Sequence, residues 1–149
     1  MVESSDVLAL DNQVCFALYA ANRAVTARYR PLLAELGLTY PQYLVMLVLW
    51  EGADGGQVRV TDIGERLRLD SGTLTPLLKR LEQGGLVERR RSTEDERSVI
   101  VTLTEKGQTL QNQARQIPAR LLCDSGVEPE KIAALRDELR ALLSRLEDA

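Results

Sequence analysis

The side chains with the widest chemical repertoire in this sequence are two thiols, Cys15 and Cys123. A thiolate is a nucleophile that peroxides oxidise to sulfenic acid, and a second thiol can then close a disulfide. The two cysteines lie far apart in the chain, which leaves no Cys-x-x-Cys redox pair and no clustered metal site. The 149 residues include no histidine. Ser-His-Asp and Cys-His catalysis are therefore excluded, and the commonest ligand of zinc, copper and non-haem iron is missing. No metal and no cofactor is expected. Taken by itself, Cys15 reads as a buried structural thiol, as most free cysteines are.

A second group of residues is polar and basic: Ser71, Thr73, Thr75, Pro76, Lys79 and Arg80, then Arg89, Arg90 and Arg91, then Asp95 and Arg97. The formal net charge of −3 argues, taken whole, against a polyanionic partner. Its distribution reverses that argument, because five basic residues face two acidic ones between Ser71 and Ser92, a local charge of +3. Short hydroxyl side chains reach base edges or phosphates, and the basic groups beside them neutralise phosphates. Arg97 can enter a narrow minor groove, with Asp95 two residues earlier to hold its guanidinium. An isolated polar helix face also fits the solvated side of an amphipathic helix, so the surrounding elements decide.

Those elements follow from periodicity. Apolar residues at Leu10, Val14, Ala17, Leu18, Ala21, Ala24 and Val25 predict a long first helix, about 7–36, bent or shortened by Pro31 and stopped by Gly37. Thr39-Tyr40-Pro41 starts a second helix whose run from Tyr43 to Trp50 is apolar enough to be central and buried. A glycine-rich break at 52–56 precedes Val58-Arg59-Val60, an edge strand, and Thr61 is placed as the cap of a third helix at about 62–67. Leu74, Leu77, Leu78 and Leu81 define a fourth helix ended by Gly84-Gly85, with Pro76 placed in its first turn. Two short helices across a tight turn make a helix-turn-helix candidate.

Leu86–Arg91 and Ser98–Leu103 flank the polar loop 92–97 as two strands, and a hairpin behind a recognition helix is a wing. Thr104 caps a fifth helix running towards Cys123, broken or bent near Pro118. In the last segment Ile132, Leu135, Leu139, Leu142 and Leu146 form a three–four seam that needs a partner helix. The fold class expected is α+β and mainly helical, one domain over 1–149, with a winged helix-turn-helix at about 58–103 flanked by helices at about 7–36 and 104–149. No apolar stretch approaches the roughly 20 residues of a membrane span. Met1 to Asp11 carry Glu3, Asp6 and Asp11 without Lys or Arg, unlike a leader, so a cytoplasmic protein without a membrane partner is expected.

The stretch from Asp70-Ser-Gly-Thr-Leu-Thr-Pro to Glu82, closing with Asp95-Glu-Arg97-Ser, together with the order of elements, resembles the MarR family of regulators. Within it, Cys15-Phe-Ala-Leu-Tyr19-Ala-Ala and Leu38-Thr-Tyr40-Pro-Gln-Tyr43-Leu-Val-Met-Leu-Val-Leu-Trp50-Glu are similar to the organic hydroperoxide resistance regulators. The resemblance implies a homodimer, joined through its first and last helices, that represses from an inverted-repeat operator of double-stranded DNA. It implies release of that DNA when an organic hydroperoxide oxidises Cys15. It further implies that Tyr29 and Tyr40 hydrogen-bond the thiolate, with Tyr19 and Tyr43 nearby, and that Cys123 of the other subunit resolves the oxidised Cys15.

The physical chemistry agrees: phenolic hydroxyls favour a thiolate by donating to it, without adding positive charge. A disulfide requires Cα atoms about 4.4–6.8 Å apart, so a wide separation in the reduced form makes rearrangement the switch. Recognition helices that match successive major grooves, about 34 Å apart, would fit DNA only in one state of the dimer. Three other readings stay open: a regulator of the same family answering a small aromatic ligand, its cysteines incidental; a thiol peroxidase using both cysteines; and a winged helix that binds protein.

Overall fold

The computed structural model describes residues 6–52, 57–95, 97–123 and 125–148; the side chain of Cys123 and most of the glycine-rich break, 53–56, lie outside the described residues. The chain forms two compact units, one up to Arg115 and one from Gln116 onwards.

In the first unit, single 3-10 turns at Asp6–Leu8 and Leu10–Asn12 precede helix α1, Val14–Ala34. The expected first helix therefore begins seven residues late. Gln13 accounts for this: its side-chain amide donates to the carbonyls of Val7 and Ala9 at 2.7 and 2.9 Å, and Asn12 donates to Asp6 at 2.8 Å. These bonds fold the preceding segment onto the helix entrance instead of extending the helix. Helix α1 also continues through Pro31, where early termination was an option, because only three further residues follow the proline. Gly37 closes it at φ +72°, with Leu38 N–H bonded to Leu33 and Gly37 N–H to Ala34, the glycine-dependent Schellman arrangement.

Helix α2, Tyr40–Glu51, is capped reciprocally: Thr39 Oγ1 accepts from Gln42 N–H while the Gln42 side chain accepts from Thr39 N–H. Its residues Tyr43, Val45, Met46, Val48 and Leu49 are buried, and it packs against α1 and three helices introduced below, as its continuous apolar run predicts. Strand β1, Gln57–Arg59, leads directly into α3, Val60–Leu67. Thr61 is not the cap; Arg59 occupies that position without a side-chain bond, since the strand hands its extended residue straight to the helix.

Arg68, at φ 54°, closes α3 in the left-handed conformation, and Asp70 caps α4, Ser71–Gln83, by accepting from Thr73 N–H at 2.7 Å. Pro76 sits one turn further into α4 than expected, because Asp70 starts the helix at Ser71. Strands β2, Val87–Arg91, and β3, Val99–Leu103, pair antiparallel, with Arg89 opposite Val101. Strand β1 adds to the other side of β3, an edge strand as expected, in sheet order β1-β3-β2. Thr104 caps α5, Glu105–Ala114, by accepting from Gly107 N–H.

The second unit holds α6, Ile117–Cys123, with Pro118 at its second position, and α7, Pro129–Asp148. None of the described residues of α7 is buried, and Leu135, Leu139, Leu142 and Leu146 of the expected seam are exposed. Among the described residues no helix is long and apolar enough to cross a membrane.

Candidate redox site and nucleic-acid interface

Cys15 lies in the first turn of α1 and is exposed, contrary to the buried structural thiol its residue type alone suggests. Val14, Leu18, Tyr19 and Val25 on the same helix are exposed as well, so among the described residues of its own unit nothing buries this stretch of α1. Tyr19, one turn beyond Cys15, carries the Arg23 guanidinium 5.6 Å over its ring, and Arg23 Nη1 donates to its hydroxyl at 3.3 Å.

Tyr29 and Tyr40 come together. Their ring centroids are 4.9 Å apart, and Tyr43 joins them at 5.7 Å from Tyr29 and 6.4 Å from Tyr40. The cluster arises because Gly37 reverses the chain between α1 and α2, so the last turns of one helix meet the first turns of the next. Burial, and then the neighbouring Tyr43 and Tyr40, push the Tyr29 hydroxyl up to about 12. Tyr40 and Tyr43 are raised from the usual tyrosine value, again first by burial. All three phenols are therefore neutral donors at physiological pH, suited to an anionic sulfur or oxygen. Tyr43 continues the aromatic chain to Trp50, edge-on at 6.5 Å.

Along α1, Tyr29 lies fourteen positions beyond Cys15. At a rise of about 1.5 Å per residue that is about 21 Å, so the thiol and the phenol of one chain do not meet. Two open grooves lie elsewhere: one of about 650 Å³ bounded by Val48, Gly52, Val58 and Arg66, and one of about 450 Å³ between α3 and α4. Neither is lined by Cys15 or a tyrosine. Among the described residues no cluster of His, Cys, Asp and Glu can hold a metal ion.

The second surface is the helix-turn-helix with its hairpin. Leu74, Leu78 and Leu81 are buried, which turns Ser71, Thr73, Thr75, Pro76, Lys79 and Arg80 outwards on α4. Arg91, Asp95 and Arg97 are exposed on the hairpin. Asp95 uses its carboxylate within the turn, accepting from the Arg97 backbone N–H at 3.0 Å and from the Ser98 side-chain Oγ–H at 3.2 Å; it shapes the loop that carries Arg97, where the sequence suggested a grip on the guanidinium. Arg89 is half-buried and engaged by Glu82 of α4, which sequence reasoning passed over. The available signal was the Gly84-Gly85 reversal, which folds an acid at a helix end back against a base on the next strand.

The comparisons agree with this architecture. Residues 27–114 match the family described as transcriptional regulator SarA/Rot. The chain is 49% identical over 146 residues to the organic hydroperoxide resistance transcriptional regulator of Bacillus subtilis, covering 98% of this chain and 97% of that one. It is similar to reduced AbfR bound to DNA, from a protein of Staphylococcus epidermidis, at 37% identity and a TM-score of 0.79 over 97% of this chain and 99% of the other. It is also similar to disulfide-formed AbfR, at 39% identity and a TM-score of 0.68 over 94% and 93% of the two chains. The chain belongs to the MarR-type winged-helix transcriptional regulators, in the organic hydroperoxide resistance branch of that family.

Proposed function

We propose that the chain is a homodimeric, cytoplasmic repressor that binds an inverted-repeat operator in double-stranded DNA and releases it when an organic hydroperoxide oxidises Cys15. The observation that carries this reading is the separation of Cys15 from the Tyr29–Tyr40 pair along one continuous helix. Only a second copy can bring an exposed thiol to those neutral phenols. The exposed apolar residues Val14, Leu18 and Val25 of α1, and Leu135, Leu139 and Leu142 of α7, support such a partner, because each stripe leaves apolar area in water at about 25 cal/mol per Å².

In the assembled site the thiolate of Cys15 attacks the distal oxygen of the hydroperoxide. The O–O bond breaks, Cys15 becomes a sulfenic acid, and the leaving alkoxide takes a proton to depart as an alcohol. Tyr29 and Tyr40 of the other copy donate to the sulfur before attack, and an apolar surround accepts the organic chain. Cys123 of the partner subunit then condenses with the sulfenic acid, losing water and forming a disulfide that prevents overoxidation. A sensor requires only one oxidation per thiol, whereas a peroxidase would require a reductant to return the thiols at every turnover. On the DNA side, Ser71, Thr73, Thr75 and Pro76 face base edges, Lys79, Arg80 and Arg91 face phosphates, and Arg97 enters the minor groove.

The test is the mass of the reduced protein, under denaturing and non-reducing conditions, after one equivalent of an organic hydroperoxide. A covalent dimer that dithiothreitol reverses, and that vanishes in Cys15→Ser or Cys123→Ser, is the expected result. An unmodified monomer rules the sensor out and leaves the DNA-binding role standing. Normal hydroperoxide induction in Cys15→Ser would instead favour a regulator that answers a small ligand.

A further inference from the structure

Arg89 looks in the sequence like one of a row of phosphate-binding arginines, but its hydrogen bonds go elsewhere. Its backbone N–H donates to Glu82 Oε2 at 3.1 Å, and its Nε and Nη2 donate to Glu82 Oε1 at 3.3 and 3.0 Å. One carboxylate at the end of the recognition helix α4 thus holds both the main chain and the side chain of the first wing strand. The side chains are 38% and 26% exposed for Glu82 and Arg89, so this contact is drier than an ordinary surface ion pair. The side-chain and backbone bonds from Arg89 hold the Glu82 carboxyl below the usual carboxylate range, and the acid is charged throughout the physiological pH range.

We infer that Glu82 and Arg89 are positioning residues that set the angle of the wing to the recognition helix, and that Arg97 reads DNA only when this pair is intact. The inference rests on the DNA-reading part of the proposed function. The lever is the rest of the ladder: from Arg89 it runs three residues on to Ser92, or about 10 Å, before the turn that carries Arg97. A swing of about 15° at Arg89 therefore moves that turn by about 3 Å, more than a guanidinium tolerates within hydrogen-bond reach. The hairpin itself is stiff, because β2 and β3 pair over their full length and Ser92 N–H bonds the Ser98 carbonyl at 2.8 Å. The Glu82–Arg89 contact is thus the joint, and the turn around Asp95 is the pointer.

Charge alone predicts the opposite sign for one variant, which makes the test sharp. Glu82→Gln removes a negative charge beside a polyanion and would tighten binding if electrostatics governed. The full-length reduced protein first selects a duplex from a random-sequence pool, and binding of that duplex is measured between about 50 and 200 mM salt. Expected are about tenfold weaker binding for Glu82→Gln and for Arg89→Gln, a double variant no weaker than either, and partial recovery in Arg89→Lys. Arg97→Ala should weaken the wild type by about tenfold and lower the salt slope by about one, yet change affinity less than twofold in the Glu82→Gln background. Melting curves identify any variant that is merely misfolded, and Arg89→Lys and Glu82→Asp then carry the same comparison. Wild-type or tighter affinity in Glu82→Gln, with a lower salt slope only in Arg89→Gln, overturns the inference and makes Arg89 a phosphate contact. A wild-type protein that selects no duplex overturns the DNA-reading role itself.

Discussion

Trp50 Nε1 donates to the carbonyl of Gly107 at 2.9 Å, a bond between residues 57 apart in sequence that joins the end of α2 to the first turn of α5. Gly107 is buried there, and a Cβ at this position would overlap the Leu86 carbonyl oxygen. The same turn of α5 fastens the exit of the recognition helix, through Thr104 N–H to Leu86 at 3.0 Å, Thr104 Oγ1–H to Gly85 at 2.6 Å and Lys106 Nζ to Gly84 at 3.0 Å. One glycine and one indole N–H thus anchor the DNA-reading elements to the central helix.

Gly107→Ala should lower stability by about 2–3 kcal/mol, because the obstacle to the new methyl is backbone and cannot swing aside. Trp50→Phe keeps most of the packing and removes one of the hydrogen bonds to the Gly107 carbonyl, which retains its place in the α5 ladder, a loss of about 0.5–1.5 kcal/mol. Denaturant unfolding measures both, and equal stabilities for wild type and Gly107→Ala would mean that α5 can draw back from Leu86 without cost.

Alkaline titration should separate Tyr29 from an ordinary tyrosine. Its hydroxyl is raised from 10.0 to about 12, chiefly by burial, so the fold favours the neutral phenol. That contribution to stability is complete below pH 10 and is lost as pH rises towards 12. The near-ultraviolet signal of tyrosinate should contain a step near 12 that disappears in Tyr29→Phe. Amplitude lost near 10 and not near 12 in Tyr29→Phe would show that the Tyr29–Tyr40 cluster is solvated.

On the acid side Asp70, Glu82 and Glu51 are each held below their ordinary values of 3.8 for Asp and 4.5 for Glu. Asp70 is lowered by the backbone and side chain of Thr73, Glu82 by Arg89 and Glu51 by Arg66. Their stabilisation is fully present above those ordinary values and falls as pH drops through the lowered ones. Melting temperature measured across that range should fall less steeply in Asp70→Asn, which can still cap α4 but does not titrate. An identical acid limb in the variant removes Asp70 from the account.

If the thiol of Cys15 meets Tyr29 and Tyr40 across the dimer, Tyr29→Phe and Tyr40→Phe should each slow its oxidation by about tenfold, the scale of one hydrogen bond to a charged group. Rates are read from loss of free thiol with an organic hydroperoxide in excess. Mixing Cys15→Ser with Tyr29→Phe subunits gives heterodimers whose single Cys15 faces the intact Tyr29 of the other subunit, so all of the Cys15 thiol in such heterodimers should be lost at the wild-type rate if the site is shared between chains. Wild-type rates in the double phenylalanine variant would dissolve the proposed thiolate site.

Much was legible in the sequence because it rests on local rules. The Thr39–Gln42 capping box, Asp70 ahead of α4, the Gly84-Gly85 exit and the alternation of the two wing strands are each decided within a few residues, and the outward face of α4 follows from the spacing of Leu74, Leu78 and Leu81. Tertiary structure decided what depends on which distant surfaces meet. Gln13 bonding backwards moved the start of α1, the carboxylate of Glu82 took Arg89 away from the exposed basic row, and the reversal at Gly37 stacked Tyr29 on Tyr40. Composition suggests a buried Cys15, but Cys15 is exposed, on a helix whose Val14, Leu18 and Val25 are exposed with it. Periodicity reports that a residue lies on an apolar face; what covers that face is a matter of long-range contact, which no local pattern encodes.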